Sequence, residues 1–485
     1  MHAFPALLLA LLLVLPAFSQ APPAPDVAGR IRQVETHLSP ALRIEGQPAV
    51  TFNLTDRMRH YKVPAVSIAV VNNGRIEWAR AYGHPGRDSL RKADTLTLFQ
   101  AASISKPVAA LAALHLVEKD KLDLDADVNK YLKTWKVKDS RFTADKPVTL
   151  RGLLTHSAGL TVHGFRGYAR GEAVPTLRQV LDGSKPANSA AVVADTTPGS
   201  RWRYSGGGYV LMQQLVEDVT GTDFERTMQR LVLGPAGMKH STYAQPLTPS
   251  LQARASIGHA SDGRPVPGDW HTYPERAAAG LWTTPSDLAR YILAVQQSRQ
   301  GQSNRILSRE MTDRMLTKGI GGWGLGPRLG GEKEELLFSH GGSNEGYRCE
   351  MHGFVTGGRG VVVMTNSDNG GDLIAEIIRS VSHAYGWEAF KPVAKKRARL
   401  TAEELKAFAG TYVEREQGLR IQVTPGDNAL MVKQLWNGRE RTLFAEAGLH
   451  FYTNDEGAPV VFDAAANGTI TGMLVPGPLK FTREP

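Results

Sequence analysis

The chain has 485 residues, 42% of them hydrophobic, enough for two or three domains around a substantial core. Its formal net charge of +10 is scattered except at Lys391, Lys395, Lys396, Arg397 and Arg399, a cluster that reads as a solvated linker, with contact to an anionic envelope surface as the alternative. Cys349 is the single cysteine, which excludes an internal disulfide and a cysteine-cluster metal site and leaves it the role of a small buried hydrophobe on a strand.

In chain order, residues 7–15 form an apolar run too short to span a bilayer, followed by Pro16, Ala17, Phe18 and Ser19, small enough for cleavage before Gln20. The expected leader is 1–19, although Met1 and His2 lack the usual Lys or Arg, and a buried N-terminal helix is the alternative. The Pro-rich stretch 21–25 favours a processed end, so the protein is expected to be periplasmic or secreted. No nucleic acid is expected as a partner, and no later run is long enough for stable membrane insertion. Residues 20–50 read as a lead segment before a domain at 51–390.

That domain opens with a short helical stretch and then a hairpin, Ala65–Val71 and Arg75–Tyr82, turned by Asn73-Gly74. Residues 103–300 read as mostly helical, broken by Gly- and Pro-rich loops. Strand patterns return at Glu335–Ser339, Tyr347–Phe354 and Gly360–Thr365, with a helix over about 371–385. Strands at both ends of a helical middle predict an α+β domain whose antiparallel sheet is assembled from both ends. After a basic linker at 391–400, residues 401–485 give a short helix (Ala402–Phe408) and strands separated by turns such as Asn437-Gly438 and Asn467-Gly468. A small antiparallel β-barrel or sandwich is expected, cored by Leu430, Val432, Leu443, Phe444, Phe451, Val460 and Phe462. No internal repeat or low-complexity segment is visible.

The chemistry starts at Ser103 and Lys106, one helical turn apart at the head of an apolar helical stretch. A serine hydroxyl needs a base, and a lysine serves if burial lowers its pKa. A second pair, Ser89 and Lys92, lies in a polar run with no apolar helix behind it. Tyr204 precedes three glycines and a helix over 210–217; singly, it reads as a packing or capping residue. His340-Gly341-Gly342-Ser343 suits a substrate-lining edge strand or a plain turn. Two look-alikes are out of order: Ser367-Asp368-Asn369 at a strand end, and Tyr452-Thr453-Asn454, read as a turn. There is no Gly-x-Ser-x-Gly elbow, no His-Glu-x-x-His and no nucleotide-binding glycine spacing around 322–330, so neither metal nor cofactor is expected.

The order of Ser103-x-x-Lys106, Thr155–Gly159, Tyr204-Ser205-Gly206 and His340-Gly341-Gly342 over roughly residues 50–390 resembles the serine β-lactamase-like superfamily. Class C β-lactamases, D-alanyl-D-alanine carboxypeptidases, D-aminopeptidases and β-lactamase-like esterases share it, as do passages like Leu153–Leu160, Ala278–Leu288, Gly322–Gly326 and Gly342–Gly346. The resemblance implies a β-lactamase/transpeptidase-like fold, with Ser103 acylated and Lys106 activating it. Tyr204 would act with Lys106 as base and then as proton donor, and the N–H groups of Ser103 and Ser343 would form the oxyanion hole. His340, Gly341, Gly342 and Gly206 would contact substrate. Gly206 stands where many relatives have Asn, and His340 where β-lactamases have a Lys that pairs with the substrate carboxylate. The expectation is therefore an exported serine hydrolase of small esters, amides or D-amino-acid peptides, with peptidoglycan a possible partner. A β-lactamase or D,D-carboxypeptidase proper and a non-turnover penicillin- or peptidoglycan-binding receptor are the alternatives. The C-terminal part resembles the lipocalin-like domains appended to some of these hydrolases, where it would cover the site or limit substrate length.

Overall fold

The computed structural model describes residues 26–87, 90–415, 418–476 and 479–485. The expected leader with its cleavage point before Gln20, and Ser89 of the second Ser–Lys pair, lie outside the described residues. Among the described residues no helix is long and apolar enough to cross a membrane.

The sheet is six-stranded and antiparallel, in the order Arg75–Gly83, Ala65–Asn72, Gly360–Thr365, Tyr347–Phe354, Leu337–Asn344, Arg328–Gly330. Strands from the two ends of the domain meet at its centre, where Ala65–Asn72 pairs with Gly360–Thr365. Both central strands are apolar almost throughout because both faces are covered. The hairpin turn takes positive φ at Asn73 and Gly74, as that dipeptide favours. One face packs on helix Gly370–Tyr385 and the other on helix Pro285–Arg299 and the large helical region.

The lead segment is more than a lead. Helix Val27–Thr36 buries Ile31 and Val34 against helix Gly370–Tyr385, and Arg30 pairs with Glu77 on the hairpin. The basic segment is likewise tied down: Val393–Lys395 pairs in parallel with Leu42–Ile44, Lys395 meets Glu446 at 2.9 Å, and Arg397 covers the Phe444 ring. Charge density suggested solvation, and Lys391, Lys396 and Arg399 are exposed, whereas Lys395 and Arg397 have distant partners.

Residues 410–483 close an eight-stranded antiparallel barrel in which each strand pairs with its sequence neighbours. Its interior is filled by Leu430, Val432, Leu443, Phe451, Val460 and Phe462 among others. Phe444 is a correction: alternation along Glu440–Ala447 turns Leu443 inward and leaves Phe444 outside, beneath Arg397. Tyr452 is also strand rather than turn, within His450–Thr453.

Candidate active site

Ser103 sits in a 3₁₀ turn, Ala102–Ile104, that runs into helix Ser105–Glu118. The helix is buried on nearly every side, so it is a rigid platform inside the core. Ala102 is held at φ 48°, a left-handed conformation that an alanine adopts only under constraint. The constraints are visible: Ala101 N–H donates to Leu281 O at 2.9 Å, and Ser105 Oγ donates to Ala102 O at 2.5 Å while accepting from Leu281 N–H at 3.0 Å. The edge strand presses on the same turn, since a side chain at Gly342 would meet Ala101 O and Cys349 Sγ at 2.3 Å each. Cys349 is buried under that contact with its thiol pushed up by burial, the inert role its sequence setting suggests.

Lys106 is buried, with Nζ 3.0 Å from Ser103 Oγ and 2.8 Å from Ala278 O. Burial lowers its pKa to about 7, with no carboxylate opposing the shift. A neutral amine has two N–H donors and one lone pair; one donor satisfies Ala278 O, which leaves the lone pair for the Ser103 proton. Tyr204 lies just before helix Gly206–Thr220, which Ser205 caps, and its hydroxyl hydrogen-bonds Ser103. Burial raises its pKa, so it holds its proton at neutral pH. Lys106 Nζ is 5.0 Å from the Tyr204 ring centre.

His340-Gly341-Gly342-Ser343 is strand and not turn, because the strand runs through Leu337–Asn344. The outer strand Arg328–Gly330 pairs only as far as Ser339, which leaves one edge of His340–Asn344 without a strand neighbour. Ser103, Lys106, Tyr204, His340, Gly341, Gly342 and Ser343 thus line one cleft of about 610 Å³. His340 is buried and its pKa falls to about 4, mainly by burial and then by Lys106, so it brings no charge. Gly206 does not line the cleft: a side chain there would meet His163 O and the Phe165 ring at 3.0 Å, so loop 163–165 occupies the place an Asn would need. No barrel residue lines the cleft among the described residues. Barrel residues Arg439, Asp455 and Glu456 instead wall a groove of about 780 Å³ that shares Gly342, Arg348 and Glu350 with it. Among the described residues no cluster of three or more His, Cys, Asp or Glu is gathered as for a metal.

The beta-lactamase family pattern matches residues 51–385, the sheet and helical region that hold this cleft. The chain belongs to the beta-lactamase family. Esterase EstB of Burkholderia gladioli is 31% identical over 214 residues, 42% of this chain and 52% of that protein. The octameric penicillin-binding protein homologue from Pyrococcus abyssi superposes with a TM-score of 0.62 at 23% identity, covering 87% of this chain and 94% of that one. The D-amino acid amidase from Ochrobactrum anthropi gives 0.55 at 21%, covering 69% and 96%. The fold is the β-lactamase/transpeptidase-like fold, and the family is one of serine hydrolases.

Within this beta-lactamase-family cleft the structure assigns weight to a residue that the sequence left without a role. His156 brackets Tyr204: its carbonyl accepts from Arg203 N–H at 2.8 Å, its Nδ1 accepts from Ser205 N–H at 3.1 Å, and its ring lies 4.2 Å from the Tyr204 ring. It does so from a left-handed backbone, φ 57°, and is 2% exposed. The only sequence signal was its place in Thr155–Gly159. His156→Ala is expected to lower kcat by about 10²-fold with a smaller change in KM, because Tyr204 loses its alignment. Steady-state kinetics with a neutral ester separate the two parameters, and His156→Asn, which retains an acceptor, should recover part of the loss.

Glu275 lies three residues before Ala278, fully buried with both carboxylate oxygens unpartnered among the described residues, and burial raises its pKa from 4.5 to about 8. The folded state keeps this proton between those values while the unfolded chain has lost it, so stability falls as pH rises from about 4.5 to about 8. Glu275→Gln should remove that fall, gaining about 3 kcal/mol on the parent between pH 5 and 8 in urea denaturation.

Proposed function

We propose that this protein is an exported serine hydrolase that works through an acyl-enzyme on Ser103, acting on small esters, amides or D-amino-acid peptides. The observation that carries the reading is the buried, carboxylate-free Lys106 amine 3.0 Å from Ser103 Oγ. Lys106 takes the Ser103 proton as Oγ attacks the carbonyl carbon. The resulting oxyanion is held by the N–H groups of Ser103 and Ser343 on the turn and the edge strand that Gly342 keeps in contact. Tyr204, protonated and hydrogen-bonded to Ser103, passes a proton to the leaving group and takes back the one held by Lys106, which is then neutral again. Water then attacks the ester of Ser103, Lys106 accepts its proton, and that proton returns to Ser103 Oγ as the acyl–oxygen bond breaks.

Esterase or peptidase activity is favoured over β-lactam hydrolysis. A neutral His340 offers a substrate carboxylate no opposite charge, and Gly206 offers no amide. The esterase relative and the D-amino acid amidase neighbour fit that preference. Export is inferred from the apolar run at 7–15 and the small residues before Gln20. The test is turnover and intact mass of the purified protein with a p-nitrophenyl ester, a D-alanyl peptide and a chromogenic cephalosporin. Ester or peptide turnover exceeding that of the cephalosporin supports the reading; a stable adduct without turnover overturns it in favour of a receptor.

A further inference from the structure

The cleft has one charged wall that this chemistry does not use. Gly341 on the edge strand faces Glu350 on its neighbour, and a side chain at 341 would meet Glu350 Oε1 at 2.6 Å. The bare glycine thus lets the Glu350 carboxylate reach the rim of the cleft, which it lines. Among the described residues its ion-pair neighbour is the imidazole of His352, Nε2 at 3.4 Å, and 40% of the Glu350 side chain stays exposed. The nearby cation, Arg348, spends Nη1 on Asp368 and on the carbonyls of Asn344 and Tyr347, each at 2.8 Å.

A second observation points the same way. His340 Nδ1 lies 2.6 Å from the Gly341 carbonyl, which can only accept, so Nδ1 carries the proton. Nε2 is then a bare lone pair, buried and without a partner among the described residues. Glu350, on the same face as Gly341, and His340, on the opposite face with Nε2 buried, therefore bring acceptors alone to this strand. An ammonium has three donors and no acceptor, whereas a carboxylate there meets like charge and finds no side-chain donor from either residue.

We infer that this wall selects substrates bearing a protonated amine on the portion lying over Gly341, and disfavours a carboxylate at that place. The inference rests on the hydrolase reading above and names the substrate class of the same cleft. It assigns Glu350 as a specificity residue.

Two ester triplets test it, each with an ammonium, a neutral and a carboxylate member. One carries the charge on the acyl side (β-alanine ethyl ester, ethyl butyrate, monoethyl succinate). The other carries it on the alcohol side (2-aminoethyl acetate, propyl acetate, 3-acetoxypropanoate). Ligand-observed NMR titration of Ser103→Ala protein at low ionic strength reads affinity without turnover. In at least one triplet the ammonium ester should bind about tenfold more tightly than the carboxylate ester, with the neutral ester between them. Glu350→Gln should bring that ratio toward one, and Glu350→Lys should invert it. Equal affinities in both triplets, or an order that survives both Glu350 variants, would overturn the inference. Failure of the wild-type protein to hydrolyse any of the six, with the affinity order intact, would instead sink the hydrolase reading and leave the selectivity standing.

Discussion

Ser103→Ala is expected to lower kcat toward esters by about 10⁴-fold or more and to abolish covalent labelling, with the fold unchanged. The oxygen removed is the one that Lys106 and Tyr204 converge on. The neighbouring hydroxyl does not take its place: Ser105 Oγ, two residues on, is spent on Ala102 O and Leu281 N–H, deep in the core. Stability should move by less than about 1 kcal/mol, since Ser103 is only partly buried and Lys106 keeps Ala278 O as a partner. Intact-mass spectrometry after incubation with a slowly deacylating ester, beside a thermal melt, checks both parts. Labelling that persists at Ser103→Ala would move the nucleophile elsewhere.

What the sequence revealed and what it hid divide by the range of the contacts. Ser103 and Lys106 were legible because a three-residue spacing on a helix fixes their approach locally. The hairpin at Asn73-Gly74 and the barrel's turn-punctuated strands were local in the same sense. Gly206 misled because its meaning depends on loop 163–165, more than forty positions away, whose carbonyl and ring take the space of the missing side chain. Lys395 and Arg397 misled likewise, for their partners Leu42–Ile44, Glu446 and Phe444 lie far off in sequence. His156 could be seen as part of a motif, but not as the clamp on Tyr204, because that role rests on hydrogen bonds to residues 203 and 205 across a tertiary contact. Phe444 was hidden by a finer ambiguity: in a run of three consecutive buried-type residues, alternation alone does not say which faces the core.

Lys106→Met is expected to produce an inactive protein that is more stable than the parent at neutral pH. Activity falls because the lone pair facing Ser103 is gone, a loss of about 10²–10⁴-fold for a general base. The stability gain follows from the direction of the pKa shift. Folding lowers the Lys106 pKa from 10.5 to about 7, so between those values the unfolded chain holds a proton that the folded state has released. Stability therefore rises with pH across this window and carries the full penalty of the buried amine below about 7. Methionine fills similar volume without that penalty, but it leaves Ala278 O without its donor, which offsets part of the gain. The net expectation is about 3 kcal/mol in favour of Lys106→Met at pH 6 to 7, shrinking toward pH 10, read by urea denaturation across that range. The same titration sets the activity profile: kcat/KM of the parent should rise with pH through about 7 as the amine loses its proton. A flat profile from pH 5.5 to 8.5, or a Lys106→Met protein less stable than the parent at pH 6, would show that the amine is not held neutral by burial. The base would then have to be sought elsewhere in the cleft.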